Sequence, residues 1–283
     1  MTPGRLEVGR FRVFGFREGR MAIDGGAMFG VVPKSIWRNI YSPDEENRIE
    51  LGLNSLLVDT GDHRVLIETG VGDNLPSKLA RYYDIRLNPG MTAALRRLGY
   101  GREDIDFIIN THLHFDHCGG NTRRSGEGEF QPAFPNAVYI IQRIEWENAR
   151  SPVSRDKPSY LEQTFAGLDA AKRLTLVNGE MEILPGIFVI PSPGHTAGHQ
   201  CVLIESQGES LLFLGDLVPT SAHMGLSYIM SFDLYPLKTW QNKRRLLEKA
   251  AESGWLISTS HDPACFFGRV ERKGGKFLHK PLP

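Results

Sequence analysis

The chain has 283 residues, of which 41% are hydrophobic and 23% charged, a composition typical of a globular protein with a sizeable core. Basic and acidic residues both number 33, so no net charge draws the chain to nucleic acid or to an anionic membrane. The three cysteines include no CxxC pair, the N-terminus has no apolar leader segment, and no apolar run approaches membrane-spanning length. We therefore predict a cytoplasmic protein with neither a nucleic-acid nor a membrane partner.

Short apolar runs bounded by turn residues alternate with segments of helical period. β-Branched and aromatic residues predict strands over residues 6–16, 53–58, 64–67, 107–109, 137–142, 188–190, 200–205, 210–214 and 255–258, and a terminal hairpin over 270–278. Apolar spacing predicts helices over residues 91–98, 143–150, 160–171 and 237–253. Residues 21–50 show no clear period and are predicted to be a long, partly ordered loop. Helices recurring between groups of strands indicate a layered α/β architecture, predicted to be one domain over residues 1–283.

The most unusual stretch is Thr111-His112-Leu113-His114-Phe115-Asp116-His117, which directly follows the predicted strand 107–109. It places three imidazoles and a carboxylate on a strand-end loop, where a rigid scaffold commonly presents functional groups. The His-x-His spacing lets two rings converge on one ion, and imidazole with carboxylate suits zinc or a similar divalent metal. Burying so many polar groups without a charge to surround would be costly, which favours a metal site over a set of core histidines.

Four more polar segments follow apolar runs in the same way. They are Glu68-Thr69-Gly70, Gly194-His195-Thr196-Ala197-Gly198-His199, Leu214-Gly215-Asp216 and Ser260-His261-Asp262-Pro263. Because strand ends at one edge of a sheet share a crevice, we expect these segments to meet the first cluster.

Together these motifs resemble those of the metallo-β-lactamase superfamily of dinuclear metallohydrolases, over residues from about 53 to 263. The resemblance implies an α/β fold, the αββα four-layer sandwich. It also implies two metal positions joined by a bridging carboxylate: a first position of His112, His114 and His195, a second of Asp116, His117 and His261, and Asp216 between them. We predict two zinc ions, while manganese, iron and cobalt stay open because histidine and carboxylate accept all of these metals.

The implied activity is hydrolysis, with a metal-bridged hydroxide attacking a lactone or ester carbonyl and Asp116 orienting it and passing a proton to the leaving group. Residues 32–55, 194–200 and 219–223 are similar to the lactonase and methyl-parathion-hydrolase branch. A lactonase is therefore preferred, with acyl-homoserine lactones as candidate substrates. An organophosphate or aryl-ester hydrolase is the alternative. A metal-binding sensor without turnover is disfavoured, because structural metal sites are usually closed by protein ligands.

Outside the ligand set, three residues are candidates for orienting ligands or contacting substrate. Glu68 stands where the family commonly has Asp, His223 lies near the bridging Asp216, and Tyr228 lies further along. An apolar rim for a neutral substrate is predicted from Met28, Phe29, Trp37, Met224, Tyr228 and Met230. Family members often dimerise through loops near the N-terminus, so a homodimer through residues 21–50 is also predicted.

Overall fold

The computed structural model describes residues 2–126 and 128–282, so both ends of the predicted domain and residue 127 lie outside the described part. Its strands are β1 (Gly4–Val8), β2 (Phe11–Asp24), β3 (Arg48–Asp59), β4 (Arg64–Ile67), β5 (Arg86–Leu87), β6 (Phe107–Ile109), β7 (Thr122–Arg124), β8 (Phe130–Pro132), β9 (Val138–Gln142), β10 (Leu174–Val177), β11 (Met181–Leu184), β12 (Ile187–Pro191), β13 (Gln200–Ser206), β14 (Glu209–Phe213), β15 (Leu256–Ser258), β16 (Phe267–Lys273) and β17 (Lys276–Pro281). Its α-helices are α1 (Gly25–Phe29), α2 (Lys34–Trp37), α3 (Ser77–Tyr82), α4 (Met91–Arg97), α5 (Phe115–Cys118), α6 (Arg143–Arg150) and α7 (Pro236–Ser253). Among these described residues, no helix combines the length and apolar character needed to cross a bilayer.

Within the described residues, the strands form two large sheets. The first follows the order β1-β2-β3-β4-β6-β9-β10, with β5 paired to β2, and the second follows β11-β12-β13-β14-β15-β16-β17. In the first sheet β4, β6, β9 and β10 run parallel, and in the second β14 runs parallel to β15. Parallel strands end at the same edge, so the chain segments after β4 and β6, and those after β14 and β15, emerge side by side.

The two sheets pack face to face, with helices on their outer faces. Alternate residues of one strand point to opposite faces, and in β4 Val65 and Ile67 enter the core between the sheets while Leu66 faces α4 and α6. The same alternation in β14 sends Leu212 to the core beneath α7. Three apolar cores therefore separate four layers, which confirms the predicted αββα sandwich.

Several predicted elements are confirmed with small changes of boundary. Helices 91–98, 143–150 and 237–253 correspond to α4, α6 and α7, and the terminal hairpin to β16 and β17. The helix α7 starts with Pro236 in its first turn and ends at Gly254, whose φ of 66° closes a left-handed cap.

Two predicted elements are wrong because of glycines with positive φ. Residues 6–16 are two antiparallel strands rather than one, since the chain turns at Gly9, where φ is 55°. Residues 160–171 form turns and a short 3-10 segment (Glu162–Thr164) rather than an α-helix, and Gly167, with a φ of 85°, interrupts helical geometry.

The predicted loop over residues 21–50 is also wrong in large part. The strand β2 continues to Asp24 and pairs with β3 up to Arg48, and the short helices α1 and α2 lie between these strands. The hydrophobic period within the segment cannot predict this arrangement. Each strand forms by pairing with the other strand of a long hairpin, and a local pattern does not show that pairing.

A buried carboxyl group in β2 gives the fold a pH-dependent stability. Glu18 is 0% exposed; its Oε1 accepts a hydrogen bond from the backbone N of Val71 at 2.6 Å. Its Oε2 has no hydrogen-bond partner among the described residues. Burial raises the pKa of Glu18 from 4.5 to about 8. A raised folded-state pKa means stability that is complete below about pH 4.5 and declines as the pH rises towards 8.

We therefore expect Glu18→Gln to be more stable than the wild type at pH 8 by up to about 4 kcal/mol, and nearly equal to it at pH 4. Urea unfolding at both pH values measures the difference. The matched control for loss of a carboxylate is Glu7→Gln, because Glu7 is exposed on β1. Parallel stability curves for Glu18→Gln and the wild type between pH 4 and 8 contradict this account.

Candidate metal centre

The structure brings all seven predicted ligand side chains together where the two sheets end. Those after the first sheet lie in the loop following β6 and in α5, and they are His112, His114, Asp116 and His117. Those after the second sheet follow β12, β14 and β15, and they are His195, Asp216 and His261. The five imidazoles and Asp216 are buried, whereas Asp116 is partly exposed at the mouth of the cleft.

Three histidines form the first group. The His114 Nδ1 lies 3.1 Å from the His195 Nε2, and the His112 ring lies 4.6 and 4.8 Å from those two rings, centroid to centroid. The His112 Nε2 is buried and has no hydrogen-bond partner among the described residues. Nitrogen atoms of all three rings fall within 4.8 Å of one another.

The second group combines two histidines with a carboxylate. The His117 Nε2 and the His261 Nε2 lie 3.2 Å apart. The Asp116 Oδ2 lies 3.7 Å from the first and 3.6 Å from the second. These three side chains again offer one ligand atom each within 4.8 Å.

Asp216 faces both groups, one oxygen towards each. Its Oδ1 lies 3.4 Å from the His117 Nε2 and 3.2 Å from the His261 Nε2, and it accepts a hydrogen bond from the Ser260 hydroxyl at 2.9 Å. Its Oδ2 lies 3.4 Å from the His195 Nε2. This division of its oxygens is the placement that a bridging carboxylate requires.

Each imidazole has an inner nitrogen, which faces the other ligands, and an outer nitrogen, which faces away from them. A contact to the outer nitrogen holds each ring in place. The outer contacts run from His112 Nδ1 to Thr111 Oγ1 (3.0 Å), His114 Nε2 to Asp156 Oδ1 (3.1 Å), His117 Nδ1 to Glu68 Oε1 (3.3 Å), His195 Nδ1 to Asp233 Oδ1 (2.9 Å) and His261 Nδ1 to the Gly52 carbonyl (2.9 Å). An acceptor on the outer nitrogen fixes the proton there and leaves the inner nitrogen with a free lone pair. All five inner nitrogens are therefore prepared to bind an electrophile.

The arrangement fits a pair of divalent cations. The inner nitrogens of His114 and His195 face each other at 3.1 Å, and those of His117 and His261 at 3.2 Å. All four are acceptors, and a proton on one of them satisfies only its own pair. Two nitrogens on one tetrahedral zinc ion stand about 3.3 Å apart, given a Zn–N bond of about 2.0–2.1 Å. A cation at each group also provides the partner that the buried His112 Nε2 otherwise lacks.

Charges within the cluster oppose and balance one another. Burial opposes protonation of His117, but Asp216, Asp116 and Glu68 outweigh it and raise the pKa of His117 well above its usual value. Burial and the neighbouring imidazoles hold the pKa of His112 well below its usual value. Burial disfavours ionisation of Asp216, but His117 and His261 hold its pKa well below the usual range. A neutral imidazole and an ionised carboxylate are the forms that bind a metal, so a cation bound here would take the place of the proton on His117.

Glu68 stands behind the ligands rather than among them. It lies close enough to His112 and His117 to complete a third potential group of metal ligands. Its Oε1, however, already accepts hydrogen bonds from the Thr111 hydroxyl and from the Thr111 backbone N, the latter at 3.2 Å. We therefore assign it to holding His117 and, through Thr111, His112. Glu68 makes these contacts although its side chain is one methylene longer than that of the Asp that the family commonly has here.

The other two candidates lie away from the cleft. His223 is buried, stacks on Phe29 at 4.8 Å, contacts the Thr220 hydroxyl through Nδ1 at 2.8 Å and the Met28 carbonyl through Nε2 at 2.9 Å. Burial and the Lys243 charge lower its pKa to about 3, so it stays neutral. Tyr228 packs edge-on against Phe29 at 6.0 Å. These contacts give His223 and Tyr228 packing roles in the described structure.

The cleft in front of the ligands is narrow and largely apolar. Its apolar wall consists of Met21, Ile23, Met28, Leu51, Phe115, Met230 and Phe232, with hydroxyl groups from Tyr83 and Ser159. Of the predicted rim, Met28 and Met230 are present, whereas Phe29, Trp37 and Met224 are buried in cores. Neither lysine nor arginine is among the described residues that line it.

Sequence reasoning missed three residues of this site. Asp156 and Asp233 orient His114 and His195 from segments 42 and 38 residues away along the chain, so no local spacing connects them. Tyr83 follows α3 and packs on Phe115 at 5.4 Å. A carboxylate with low exposure, such as Asp233 at 4%, is a signal that only a structure reveals.

Comparisons with known proteins agree with this geometry. A family model described as the metallo-beta-lactamase superfamily matches residues 49–261. An N-acyl homoserine lactonase from Bacillus cereus is 30% identical over an alignment of 178 residues that covers 59% of this chain and 64% of that protein. This chain thus spans less than two thirds of the length of that relative.

Solved structures extend the similarity over nearly the whole chain. A probable metal-dependent hydrolase from Staphylococcus aureus has a TM-score of 0.90 and 30% identity, covering 98% of this chain and 99% of that one. AidC, a dizinc quorum-quenching lactonase in complex with a product, has a TM-score of 0.80 and 20% identity, covering 99% and 97%. At that lower identity the second comparison supports the fold alone.

Proposed function

The chain belongs to the metallo-beta-lactamase superfamily, and from that membership we propose that it is a metal-dependent hydrolase of neutral lactones or esters. The observation that carries the proposal is the two-sided placement of Asp216, with one oxygen towards each group of ligands. His112, His114 and His195 would hold one ion, Asp116, His117 and His261 the other, and Asp216 both. When bound, two divalent ions supply Lewis acidity and lower the pKa of water enough to provide a nucleophile near neutral pH.

Asp116 is the group placed to accept a proton from the attacking water and to deliver it to the leaving group. It is the only ligand candidate of the described site that is partly exposed, and its Oδ2 stands 3.6–3.7 Å from two ligand nitrogens. A carboxylate there can orient the attacking water, accept its proton and deliver that proton to the leaving oxygen. Asp216 is less suited to this role, because both of its oxygens face ligand histidines and its Oδ1 also accepts a hydrogen bond from Ser260.

The cleft supports a neutral substrate with an apolar portion. Its wall of Met, Ile, Leu and Phe side chains favours an acyl or aryl group, and the lack of a lining lysine or arginine disfavours a carboxylate or phosphate anion. N-acyl homoserine lactones have this combination, and the curated relative that hydrolyses them supports their choice. The aromatic side chains Phe115, Phe232 and Tyr83 favour a second candidate, an aryl ester or aryl phosphotriester with a flat leaving group.

A comparison of two substrates tests the proposal. The metal-reconstituted protein should turn over N-hexanoyl homoserine lactone with a kcat/KM well above that for a paraoxon-type phosphotriester, and a chelator should abolish both activities. The reverse ratio favours the organophosphate or aryl-ester hydrolase. Absence of metal-dependent turnover on lactone, ester and triester alike rejects the hydrolase and favours the sensor without turnover.

Tyr83 is expected to contact the substrate. Its ring lines the cleft with Asp116, and its hydroxyl has no hydrogen-bond partner among the described residues. Burial and the Asp116 charge raise its pKa to about 12, so it is a donor at neutral pH. We expect Tyr83→Phe to lower kcat/KM by about threefold to tenfold, the effect of losing one neutral hydrogen bond. The matched control is Tyr82→Phe, because Tyr82 is adjacent in sequence but 71% exposed. Equal effects of both substitutions contradict the assignment.

Metal identity, assembly and location are further proposals. We propose zinc, supported by five histidines against two carboxylates, and metal analysis of the purified protein tests it.

We propose a homodimer through the 21–50 region, supported by the exposed Val31, Ile36 and Ile40, and a monomer by light scattering at micromolar concentration rejects it. We propose a cytoplasmic location, supported by three free cysteines, and recovery in another cell fraction rejects it.

A further inference from the structure

Glu145 is a fully buried carboxylate that the proposed reaction does not use. It lies in the first turn of α6, with 0% of its surface exposed. Its side-chain hydrogen bonds in the described structure go to none of the ligand side chains, so its burial calls for another explanation. A buried carboxylate is costly unless its oxygens are hydrogen-bonded, and the identity of those donors shows what it holds.

The two oxygens of Glu145 bind two different loops. Its Oε1 accepts hydrogen bonds from the Leu113 backbone N at 3.0 Å and from the Tyr160 hydroxyl at 2.9 Å. Its Oε2 accepts hydrogen bonds from the Thr196 hydroxyl at 2.6 Å and from the Gly198 backbone N at 3.2 Å. All four donors are neutral groups, and no ion pair of Glu145 occurs within residues 2–126 and 128–282.

These donors belong to the segments that carry the first group of histidines. Leu113 lies between His112 and His114, and Thr196 directly follows His195. The Tyr160 ring also packs against the His114 ring at 4.8 Å. One carboxylate therefore ties together the loop after the first sheet and the loop after the second.

Close backbone approach supports the same interpretation. A Cβ on Gly198 would stand 2.4 Å from the Glu145 backbone N and 2.5 Å from the Glu145 Cβ, closer than real Cβ atoms come. The loop carrying His195 can approach α6 only because residue 198 lacks a side chain. Both the glycine and the carboxylate thus serve a tight contact between α6 and this loop.

We propose that Glu145 is a positioning residue that sets the spacing between the His112–His114 loop and the His195 loop, and so the affinity of the three-histidine position for a divalent cation. The proposal rests on the metal-binding part of the proposed function. Glutamine in its place keeps the size but offers an NH₂ group to donors that need an acceptor, which pushes one loop away.

The test measures metal binding rather than turnover. Apo wild-type protein and Glu145→Gln are titrated with Co²⁺ in competition with a chromophoric chelator, while the visible absorption of bound Co²⁺ is recorded. His112→Ala identifies which of the two binding steps belongs to the three-histidine position. We expect Glu145→Gln to weaken that step by about 10- to 100-fold, the range for partners behind metal ligands, and to alter its spectrum. The step assigned to Asp116, His117 and His261 should change far less.

The matched control is Glu147→Gln, two residues along the same helix and exposed. It should bind both ions as the wild type does. Wild-type affinity at both steps in Glu145→Gln overturns the proposal while leaving the proposed function intact. A wild-type protein that binds no Co²⁺ overturns the proposed function itself. If Glu145→Gln does not fold, Thr196→Val is used instead, because it removes one donor to Oε2. Wild-type Co²⁺ affinity at the three-histidine position in that variant overturns the proposal.

Discussion

Asp116→Asn is expected to lower kcat on the best lactone or ester substrate by about 10²–10⁴-fold, the usual contribution of a positioned acid–base group. Asparagine keeps the shape of the side chain but cannot accept a proton at the cleft. The three-histidine position does not include Asp116, so it should retain its metal in full. The second position should retain its metal in part, through His117 and His261. Steady-state kinetics with metal analysis of the same sample measures both effects.

The control for this experiment is Asp73→Asn, because Asp73 is an exposed carboxylate that pairs with Arg102 outside the cleft. It should leave both kcat and metal content unchanged. A metal-loaded Asp116→Asn protein with near wild-type kcat removes the proposed proton-transfer role and leaves Asp116 as a ligand only.

Asp216→Ala is expected to have the second large effect, on metal binding at both positions. The substitution removes the oxygen that faces His195 and the oxygen that faces His117 and His261. Loss of a residue that hydrogen-bonds to a metal ligand lowers metal affinity by about 10- to 100-fold. Loss of a ligand shared by both ions should lower it by more than that. We expect equilibrium dialysis to show fewer than two ions per chain at metal concentrations that saturate the wild type, with activity lost in parallel.

Ser260→Ala provides a graded comparison, because it removes only the hydroxyl that donates to the Asp216 Oδ1. It should keep two ions, with weaker affinity than the wild type. Two ions bound at wild-type affinity in Asp216→Ala exclude the bridging role.

Local chemistry made the convergence of the candidate ligands predictable from sequence. Each candidate ligand follows a short apolar strand in the chain, as His195 follows β12 and His261 follows β15. Residue types at strand ends therefore indicated which segments meet, and the family resemblance supplied their division between two metal positions. Among the partners behind the ligands, Glu68 was a sequence candidate, whereas Asp156 and Asp233 were not predicted. Asp233 contacts His195 from a segment whose Leu234 and Tyr235 backbone N atoms donate to the carbonyls of His195 and Gly194, and its own sequence neighbours carry no motif.

Long-range pairing explains the other differences. The 21–50 segment contains few residues of regular period, yet β2 and β3 pair from Arg12 with Asp59 to Asp24 with Arg48, with one register shift between Arg17 and Gly19. That hairpin is stabilised by cross-strand contacts rather than by intrinsic preference. His223 and Tyr228 follow Asp216 in sequence, but the chain packs both of them against Phe29, away from the cleft.

The contribution of ligands from both sheets makes metal occupancy a property of the whole sandwich. Four of the candidate ligands follow strands of the first sheet and three follow strands of the second, so neither sheet holds a complete site. An ion bound there acts as a cross-link between the two halves and is lost when they separate. Resistance to unfolding should therefore follow the free metal concentration, by about 1.4 kcal/mol for each tenfold rise above the dissociation constant of one site. The cell's metal supply would then govern the lifetime of this protein as well as its activity.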